Sequence, residues 1–276
     1  MQAGEPSRTA WAAAFHRAAH QVLEEGRIFA DPLALRILSE DAARQVEERA
    51  SDRRMRIFIA VRTRFAEDSL AAACERGLRQ LVVLGAGLDT YAYRGACRER
   101  LRIFEVDYPA TQAWKRERLE RAAIPLPSFL TFAPVDFERE SLAHGLNAAG
   151  FDPARPSFFI WLGTVPYLTD AAIFATLGFV ASLPDGSEIV FDYSEPIDRI
   201  ADPKARAFRE QLAIRTAAAG EPILSHFEPE RLRDRLLDAG FGTVENLGAA
   251  EITQRFQHML GGPWRGGGNV MRAATR

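Results

Sequence analysis

Short apolar runs alternate with longer amphipathic stretches along most of this chain. An unbroken apolar run of about four to eight residues is typical of a strand that is buried on both faces of a parallel sheet. Such runs predict strands at 81–84, 103–106, 129–135, 157–162, 188–191, 242–247 and 268–274. Residue spacing and helix-start signals predict helices at 8–24, 51–75, 109–123, 203–216 and 229–239, and from 170 onward. Strands that alternate with helices in this way indicate an α/β sheet.

The composition is that of one globular unit. No internal repeat, low-complexity tract or flexible linker divides the 276 residues, so we expect a single domain over 1–276. The net charge of −2 argues against nucleic acid or an anionic membrane surface as a partner. No signal peptide or membrane span is evident, which favours the cytoplasm. Two cysteines and five histidines without a ligand motif argue against a metal site, and the oligomeric state stays open.

The turn after the first predicted strand carries the strongest functional signal. Gly85, Ala86 and Gly87 follow the strand directly, and glycine lets a backbone turn sharply and approach a ligand closely. Asp107 ends the second strand, and ligands bind at the carboxyl ends of strands in such sheets. A carboxylate there can accept hydrogen bonds from both hydroxyls of a ribose. The unit therefore predicts a nucleoside-containing cofactor, with Tyr108 beside Asp107 in the same site.

Two cofactors fit this unit, a dinucleotide and S-adenosylmethionine. A dinucleotide site needs the pattern G-x-G-x-x-G, and here Thr90 stands where the third glycine belongs. Asp89 also places a negative charge where a pyrophosphate would lie. S-adenosylmethionine carries no phosphate, and its ammonium and sulfonium groups favour acidic neighbours. The residues therefore favour S-adenosylmethionine.

A second carboxylate, Asp136, follows the third predicted strand and precedes Phe137. A carboxylate beside an aromatic ring suits an adenine, through a hydrogen bond to its exocyclic amine and through packing. Asp136 could equally cap the helix that is predicted to begin near Arg139. The residues leave these two possibilities open.

Arg62 lies on one face of the long predicted helix together with Phe58, Phe65 and Ser69. Such an arginine is either paired structurally, with its stem packed on apolar neighbours, or aimed at a substrate carboxylate. Lys115 lies in the next helix, where we expect it to face solvent. Asp31 is expected to cap a short helix that begins at Pro32.

The whole sequence resembles the leucine carboxyl methyltransferase family, in particular its bacterial branch of S-adenosylmethionine-dependent O-methyltransferases. The residues that carry the resemblance lie at 84–90 (LGAGLDT), 104–107 (FEVD) and 161–169 (WLGTVPYLT), with softer matches at 29–34 and 62–65. The resemblance implies a Rossmann-like class I methyltransferase sheet, mostly parallel with an antiparallel last strand. It also implies an N-terminal helical lid over 1–78 and a lid insertion at about 194–227.

The resemblance also implies roles for individual residues. Gly85 and Gly87 would pass beneath the methionine and ribose of the cofactor, Asp107 would hold the ribose hydroxyls, and Asp136 with Phe137 would hold the adenine. Arg62 would reach the carboxylate at the reaction centre, and Tyr167 would wall the active site. Leu162 stands where eukaryotic members carry a glutamate, so the cofactor contact there differs and a protein C-terminal leucine is not assumed as substrate.

These observations predict an S-adenosylmethionine-dependent O-methyltransferase that acts on a carboxylate or hydroxyl of a small secondary-metabolite-type acceptor. A carboxylate acceptor needs no general base, because it is already ionised at pH 7. A hydroxyl acceptor needs one, and His226 is the candidate. The alternatives are a nicotinamide-dependent oxidoreductase and a non-catalytic member of the fold.

Overall fold

A seven-stranded sheet runs through the part of the chain that the computed structural model describes, which is residues 7–38, 42, 44, 46, 52–136, 140–266 and 268–276. Its strands are β1 (Gln80–Leu84), β2 (Arg102–Asp107), β3 (Leu130–Pro134), β4 (Ser157–Trp161), β5 (Glu188–Ser194), β6 (Thr243–Leu247) and β7 (Gly268–Ala274). The spatial order is β3-β2-β1-β4-β5-β7-β6. Neighbouring strands are parallel except that β7 runs antiparallel to both β5 and β6. The predicted α/β sheet with an antiparallel last strand is therefore confirmed.

Helices precede the sheet and connect its strands. The described helices are α1 (Arg8–Leu23), α2 (Ala34–Leu38), α3 (Arg53–Glu75), α4 (Tyr91–Arg94), α5 (Pro109–Arg121), α6 (Leu142–Ala148), α7 (Asp170–Ala181), α8 (Pro203–Ala218), α9 (Pro229–Asp238) and α10 (Ala249–Leu260). Across the described ranges, none of these helices has the length and apolar character needed to cross a bilayer.

The two faces of the sheet carry separate hydrophobic cores, because side chains alternate along a strand. Leu81 and Val83 of β1 belong to the core that α3 and α10 cover. Val82 and Leu84 belong to the core on the opposite face, which α6, α7 and α9 cover. A third apolar cluster joins α1 and α2 to the end of α5, so the N-terminal helices are packed against the rest of the chain.

Helix α10 is absent from the helices that the sequence predicted, although local signals for it exist. Ile252 and Phe256 are buried one turn apart on the face that packs against the sheet. The Glu251 carboxylate accepts a hydrogen bond from the Gly248 N–H (3.1 Å) at the start of the helix. Gly261 ends it with a φ of +71°, a conformation that glycine adopts readily. The apolar spacing of Ile252 and Phe256 covers only about one helical turn between two predicted strands, so it did not predict a helix there.

Lys115 corrects another expectation, because its side chain does not face solvent. The Lys115 ammonium lies 2.6 Å from the carboxylate of Glu105 on β2, and both side chains are 1% exposed. Spacing along the helix could not reveal this, since the partner lies on a strand. Burial raises the pKa of the Glu105 carboxyl to about 7, although the neighbouring Lys115 charge acts to lower it.

Candidate functional site

A cavity of about 480 Å³ lies at the carboxyl ends of the central strands. The chain leaves β1 towards one side of the sheet and enters β4 on the other side, so the strand order reverses between these two neighbours. Open α/β sheets bind ligands at such a switch point. The predicted site residues that line the cavity are Arg62, Gly85, Ala86, Gly87, Asp107, Tyr108, Asp136, Leu162 and Tyr167.

The glycine turn after β1 has no room for larger residues. Gly85 has a φ of +61°, and a Cβ atom there would lie 2.2 Å from the Thr164 hydroxyl oxygen. Gly87 has a φ of +46°, and its Cβ would lie 3.1 Å from the Cβ atom of Ala10. The Ala86 N–H donates to the carbonyl of Val106 (3.1 Å), which ties the turn to β2. The glycines therefore let the turn approach both the loop after β4 and the start of α1.

Asp107 is held in place by two backbone donors. The Gly87 N–H donates to its Oδ2 atom (2.6 Å) and the Tyr108 N–H donates to its Oδ1 atom (2.7 Å). Each oxygen keeps a free acceptor direction, so the carboxylate can still accept two hydroxyl hydrogen bonds. Burial raises the pKa of Asp107, and the two backbone hydrogen bonds act in the opposite direction. This geometry suits a ribose diol.

Asp136 lines the cavity directly after β3. The helix that was predicted to begin near Arg139 falls on residues outside the described ranges, so a capping role of Asp136 there stays a prediction. The next described helix, α6, begins at Leu142, and the Ser141 side chain caps it by accepting from the His144 N–H (3.2 Å). Phe137 lies outside the described residues. The position of Asp136 next to the turn of Asp107 is therefore the part of this prediction that the structure addresses.

Arg62 meets a carboxylate of the protein itself. Its Nη1 atom donates to Oδ2 of Asp192 (2.6 Å), and the other Asp192 oxygen accepts from the Gly163 N–H (2.5 Å). The Arg62 side chain is 10% exposed and the Asp192 side chain is 5% exposed, so the pair is largely removed from water. Gly163 has a φ of +75°, which favours glycine, and a Cβ there would lie 2.8 Å from the Nη2 atom of Arg62. The structural pairing of Arg62 is thus present, and Arg62 also lines the cavity.

Tyr167 lies beside this ion pair in the 3₁₀ turn after β4. Burial raises the pKa of its hydroxyl to about 12, against the effect of the Arg62 charge. The hydroxyl is therefore protonated at neutral pH and can donate a hydrogen bond, but it cannot serve as a base. Leu162 adds an apolar side chain to the lining of the same cavity.

His226 is placed differently from its prediction as a general base. The side chain is exposed and is not among the residues that line the cavity. Its neighbours Ser225 and Phe227 are buried, and the Ser225 hydroxyl donates to the carbonyl of Val165 (2.9 Å). The extended backbone that directs these two residues inward directs His226 outward. Burial and the charge of Arg209 lower the pKa of its imidazole.

The mouth of the cavity is bordered by two segments far apart in sequence. The Glu221 carboxylate accepts hydrogen bonds from the backbone N–H groups of Arg8 (3.2 Å) and Thr9 (3.0 Å), at the start of α1. An acidic group is favourable there because the first N–H groups of a helix lack partners. Ser7, Thr9 and Glu221 also line the cavity. The sequence analysis missed Glu221, since nothing local relates it to a helix that begins more than 200 residues earlier.

A buried polar network anchors α1 to the glycine turn. The Asp31 carboxylate lies 2.9 Å from Arg17 and 3.3 Å from Arg94, and it accepts from the Thr90 hydroxyl (2.7 Å). Arg17 also donates to the carbonyl of Leu88. The helix α2 begins at Ala34, two residues after the predicted start at Pro32. The Asp31 carboxylate also accepts from the Leu33 N–H (3.0 Å), as a helix cap does. Asp31 therefore both caps the short helix and links the N-terminal helices to the turn.

The residues of the cavity fit S-adenosylmethionine better than a dinucleotide. The strand ends contribute the carboxylates of Asp89, Asp107 and Asp136. Arg17 also lines the cavity and donates to the Leu88 carbonyl at the glycine turn, but its charge is paired with Asp31 (2.9 Å). Acidic groups suit the ammonium and sulfonium of S-adenosylmethionine, and they oppose a pyrophosphate. Asp107 has the free acceptor positions that a ribose requires.

Comparison with known proteins also indicates S-adenosylmethionine as the cofactor. A model of the leucine carboxyl methyltransferase family matches residues 10–181. YktD of Bacillus subtilis (strain 168), by name a candidate S-adenosyl-L-methionine-dependent methyltransferase, is 31% identical over 287 residues that cover 93% of each protein. SCO7813 of Streptomyces coelicolor, which carries the same description, is 37% identical over 175 residues, 59% of this chain and 61% of that relative.

Solved structures of low identity share the fold. A candidate methyltransferase of Thermobifida fusca YX matches with a TM-score of 0.62 at 16% identity, covering 100% of this chain and 97% of that one. Human N-acetylserotonin methyltransferase, solved in complex with S-adenosylmethionine, matches with a TM-score of 0.50 at 12% identity, covering 94% of this chain and 66% of that one. The family match and the full-length relative decide for S-adenosylmethionine over the nicotinamide alternative. The chain belongs to the leucine carboxyl methyltransferase family and is an S-adenosylmethionine-dependent methyltransferase.

Proposed function

We propose that the enzyme methylates an oxygen atom of a small acceptor, and that this oxygen belongs to a carboxylate or a hydroxyl group. The observation that supports this most is that Arg62 and Tyr167, whose hydroxyl is protonated, line the same cavity together with the apolar Leu162. Arg62 lies close enough to Tyr167 for its charge to act on that hydroxyl. A cation next to a neutral donor suits an anionic or polar oxygen acceptor.

A carboxylate is the acceptor that this set of residues favours. When bound, S-adenosylmethionine supplies an electrophilic methyl group. A carboxylate needs no base at pH 7, and the described lining residues include no histidine. Arg62 would orient the acceptor by charge and hydrogen bonding, and Tyr167 would donate to it. A hydroxyl acceptor would need a carboxylate of the cavity as base.

The cofactor would lie along the strand ends. Asp107 would accept the ribose hydroxyls, Asp136 would accept from the adenine amine, and Gly85 to Gly87 would pass beneath the methionine part. Tyr108 and Leu162 would wall the adenosine and the sulfonium. The helical segments within 1–78 and about 194–227 would form the lid that excludes water from the reaction.

Calorimetric titration tests the cofactor, and a methylation screen tests the acceptor. We expect S-adenosylhomocysteine to bind and reduced nicotinamide dinucleotide not to bind. Transfer of a labelled methyl group to a panel of carboxylic acids and matched phenols should then give mostly base-labile esters. Methylation of amines alone would contradict an oxygen acceptor. Methylation of no compound, while S-adenosylhomocysteine binds tightly, would contradict catalysis.

Arg62→Lys separates positioning from folding in the same assay. The lysine keeps a positive charge near Asp192, so we expect S-adenosylhomocysteine affinity within about threefold of wild type. Turnover should fall by about 100-fold or more, because an ammonium cannot reproduce the planar fork of the guanidinium. Loss of turnover and of cofactor binding in equal measure would make Arg62 a purely structural residue.

A further inference from the structure

The two cysteines of the chain, Cys74 and Cys97, belong to the same buried cluster, although β1 and α4 separate them in sequence. Cys74 lies in the last turn of α3, and Cys97 follows α4. Both are free thiols and both are buried. Neither lines the main cavity. The proposed function therefore leaves this pair of thiols without a role.

The two thiols are direct neighbours. The side chains of Cys74 and Cys97 form a hydrogen bond with each other. The Tyr91 hydroxyl lies 3.0 Å from the Cys97 sulfur, so it completes a row of three polar groups. Arg100 holds the backbones of both cysteines together, because its N–H donates to the Cys97 carbonyl (3.0 Å) and its Nη2 atom donates to the Cys74 carbonyl (3.1 Å).

The surroundings of Cys97 favour its thiolate form. The hydrogen bond from the Cys74 thiol lowers the pKa of Cys97, although burial acts in the opposite direction. The Tyr91 hydroxyl and the charge of Arg100 lower it further, and Arg100 contributes less because it also pairs with Glu75 (2.7 Å). The same hydrogen bond, together with burial, raises the pKa of Cys74. A thiolate is the nucleophile in thiol oxidation, so Cys97 is the thiol that reacts first.

Cys97 also has the access and the freedom that bond formation requires. It lies in the turn between α4 and β2, where Ala96 and Glu99 are exposed, and it is itself 7% exposed. The sulfurs of a disulfide are about 2 Å apart, so the two thiols must approach more closely than in a hydrogen bond. A surface turn shifts more easily than the packed helix that carries Cys74, so the turn can supply this movement.

The thiol pair lies at the end of the sheet opposite to the main cavity. Cys74 precedes the start of β1 and Cys97 precedes the start of β2, whereas the glycine turn and Asp107 lie at the carboxyl ends of these strands. The chain between the two cysteines contains β1, the glycine turn and α4. A covalent bond would therefore close a loop around the cofactor-binding turn without entering the cavity.

We propose that Cys74 and Cys97 form an oxidation site, at which a peroxide converts the two thiols into a reversible intramolecular disulfide. Cys97 is the attacking thiol and Cys74 is the resolving thiol, an arrangement that redox-sensing pairs share. The inference does not depend on the identity of the methyl acceptor.

The oxidation takes two steps with hydrogen peroxide. The Cys97 thiolate attacks one peroxide oxygen, so an S–O bond forms, the O–O bond breaks, and the released hydroxide takes up a proton to become water. The Cys74 sulfur then attacks the Cys97 sulfur, so the S–S bond forms and the S–O bond breaks. The second hydroxide leaves as water with the Cys74 proton. Two electrons pass from the thiols to the peroxide, and a dithiol reductant returns them.

Hydrogen peroxide, titrated into the reduced full-length protein, tests the site. We expect both free thiols to disappear together and dithiothreitol to restore them. Mass spectrometry should show the loss of two hydrogen atoms from the intact chain and one cross-linked peptide pair that contains Cys74 and Cys97. Retention of both thiols in excess peroxide would overturn the site, as would sulfinic acid without a cross-link or a disulfide between two chains.

Single alanine variants test the order of the two steps. Cys74→Ala lacks the resolving thiol, so the sulfenic acid at Cys97 should persist and react with dimedone. Cys97→Ala is the matched control, and its remaining thiol should stay unlabelled under the same conditions. Dimedone labelling of Cys97→Ala, with none of Cys74→Ala, would overturn the assignment of the attacking thiol. Should either variant fail to fold, the cross-linked peptides of wild type still decide whether the site exists.

The melting temperature and the cofactor affinity test what the bond does. Closing the loop restricts the unfolded chain, so the oxidised protein should melt about 5–10 °C above the reduced protein. Peroxide should not raise the melting temperature of Cys97→Ala. Affinity for S-adenosylhomocysteine should agree within about twofold in the two redox states, since the pair is remote from the cavity. A lower melting temperature or a loss of cofactor affinity in the cross-linked protein would show that the fold does not accommodate the bond.

Discussion

The two halves of the main cavity are built by different means. The strand-end half consists of the turns at 85–89, 107–108 and 135–136, and backbone N–H groups hold its key carboxylate. The helical half consists of α1, α3 and residues 220–224, and it is held by side chains that meet across the chain, as Glu221 meets the start of α1. The first half depends on local chain geometry, and the second depends on partners that are distant in sequence.

This difference separates the half of the site that would bind the common cofactor from the half that would bind a specific acceptor. The carboxylate of the strand-end half is held by backbone N–H groups, which every residue except proline supplies, so this half can stay the same for a cofactor that never changes. Long side chains such as Arg62 can be re-paired by single substitutions elsewhere, so the helical half can change its acceptor while the sheet stays the same. The four predictions below start with the largest expected effect and test this contrast.

Asp107→Ala should remove most cofactor binding. The variant loses two acceptor positions for hydroxyl hydrogen bonds, each worth about 2 kcal/mol to a charged group, so affinity for S-adenosylhomocysteine should fall by about 1,000-fold. Calorimetry measures this directly. Asp238→Ala, at an exposed helix end, is the control and should bind like wild type. Affinity within tenfold of wild type for Asp107→Ala would show that the strand-end half does not hold the ribose.

Gly85→Ala should destabilise the protein and also impair the cofactor half. Gly85 has a positive φ, which disfavours any Cβ, and the new atom would lie 2.2 Å from the Thr164 hydroxyl. We therefore expect the free energy of unfolding, measured with urea, to fall by about 3 kcal/mol. Gly77→Ala isolates the backbone effect, because Gly77 has a φ of +103° with no atom within 4 Å of its Cβ position. It should lose only about 1 kcal/mol and keep full cofactor affinity. Equal losses in the two variants would mean that the Thr164 contact is unimportant.

The buried pair of Glu105 and Lys115 beneath the strand-end half should make stability depend on pH. The carboxyl titrates near 4.5 in the unfolded chain and near 7 in the folded protein. The raised folded pKa favours folding below 4.5, and this contribution is lost as the pH rises through 7. Between pH 5 and 7.5 it should decline by about 2 kcal/mol. Urea unfolding of wild type and of Glu105→Gln at both pH values measures this contribution to the free energy of unfolding. If the free energy of unfolding changed with pH equally in the two proteins, the contribution of Glu105 would be refuted.

Glu221→Ala should have the smallest effect, confined to the helical half. It leaves two N–H groups at the start of α1 without their acceptor, at a cost of about 1 kcal/mol. Amide hydrogen exchange of residues 8–12 should accelerate, whereas the turn at 85–89 should exchange as in wild type. Glu210→Ala, exposed on α8, is the control. Faster exchange in both segments would mean that the two halves are coupled and that the contrast drawn above is wrong.

The outcome of the sequence predictions follows the same division. Residues 85–87 and Asp107 could be found because a strand, a glycine turn and a strand-end carboxylate are close together in the chain. Asp192 lies near the carboxyl end of β5, so the same rule could have drawn attention to it, but its pairing with Arg62 joins positions 130 residues apart. His226 was wrongly expected in the cavity, because the direction of a loop side chain depends on how the loop is packed.

Local sequence patterns predicted the seven strands, most of the helices, the glycine turn and the acidic strand ends, because each arises from residues that are near neighbours in the chain. The tertiary structure alone decided which charges are buried together: Glu105 with Lys115, Arg62 with Asp192, and Glu221 with the start of α1. The physical reason is that the energy of a charge depends on what surrounds it in space, and packing brings together residues that no local pattern connects.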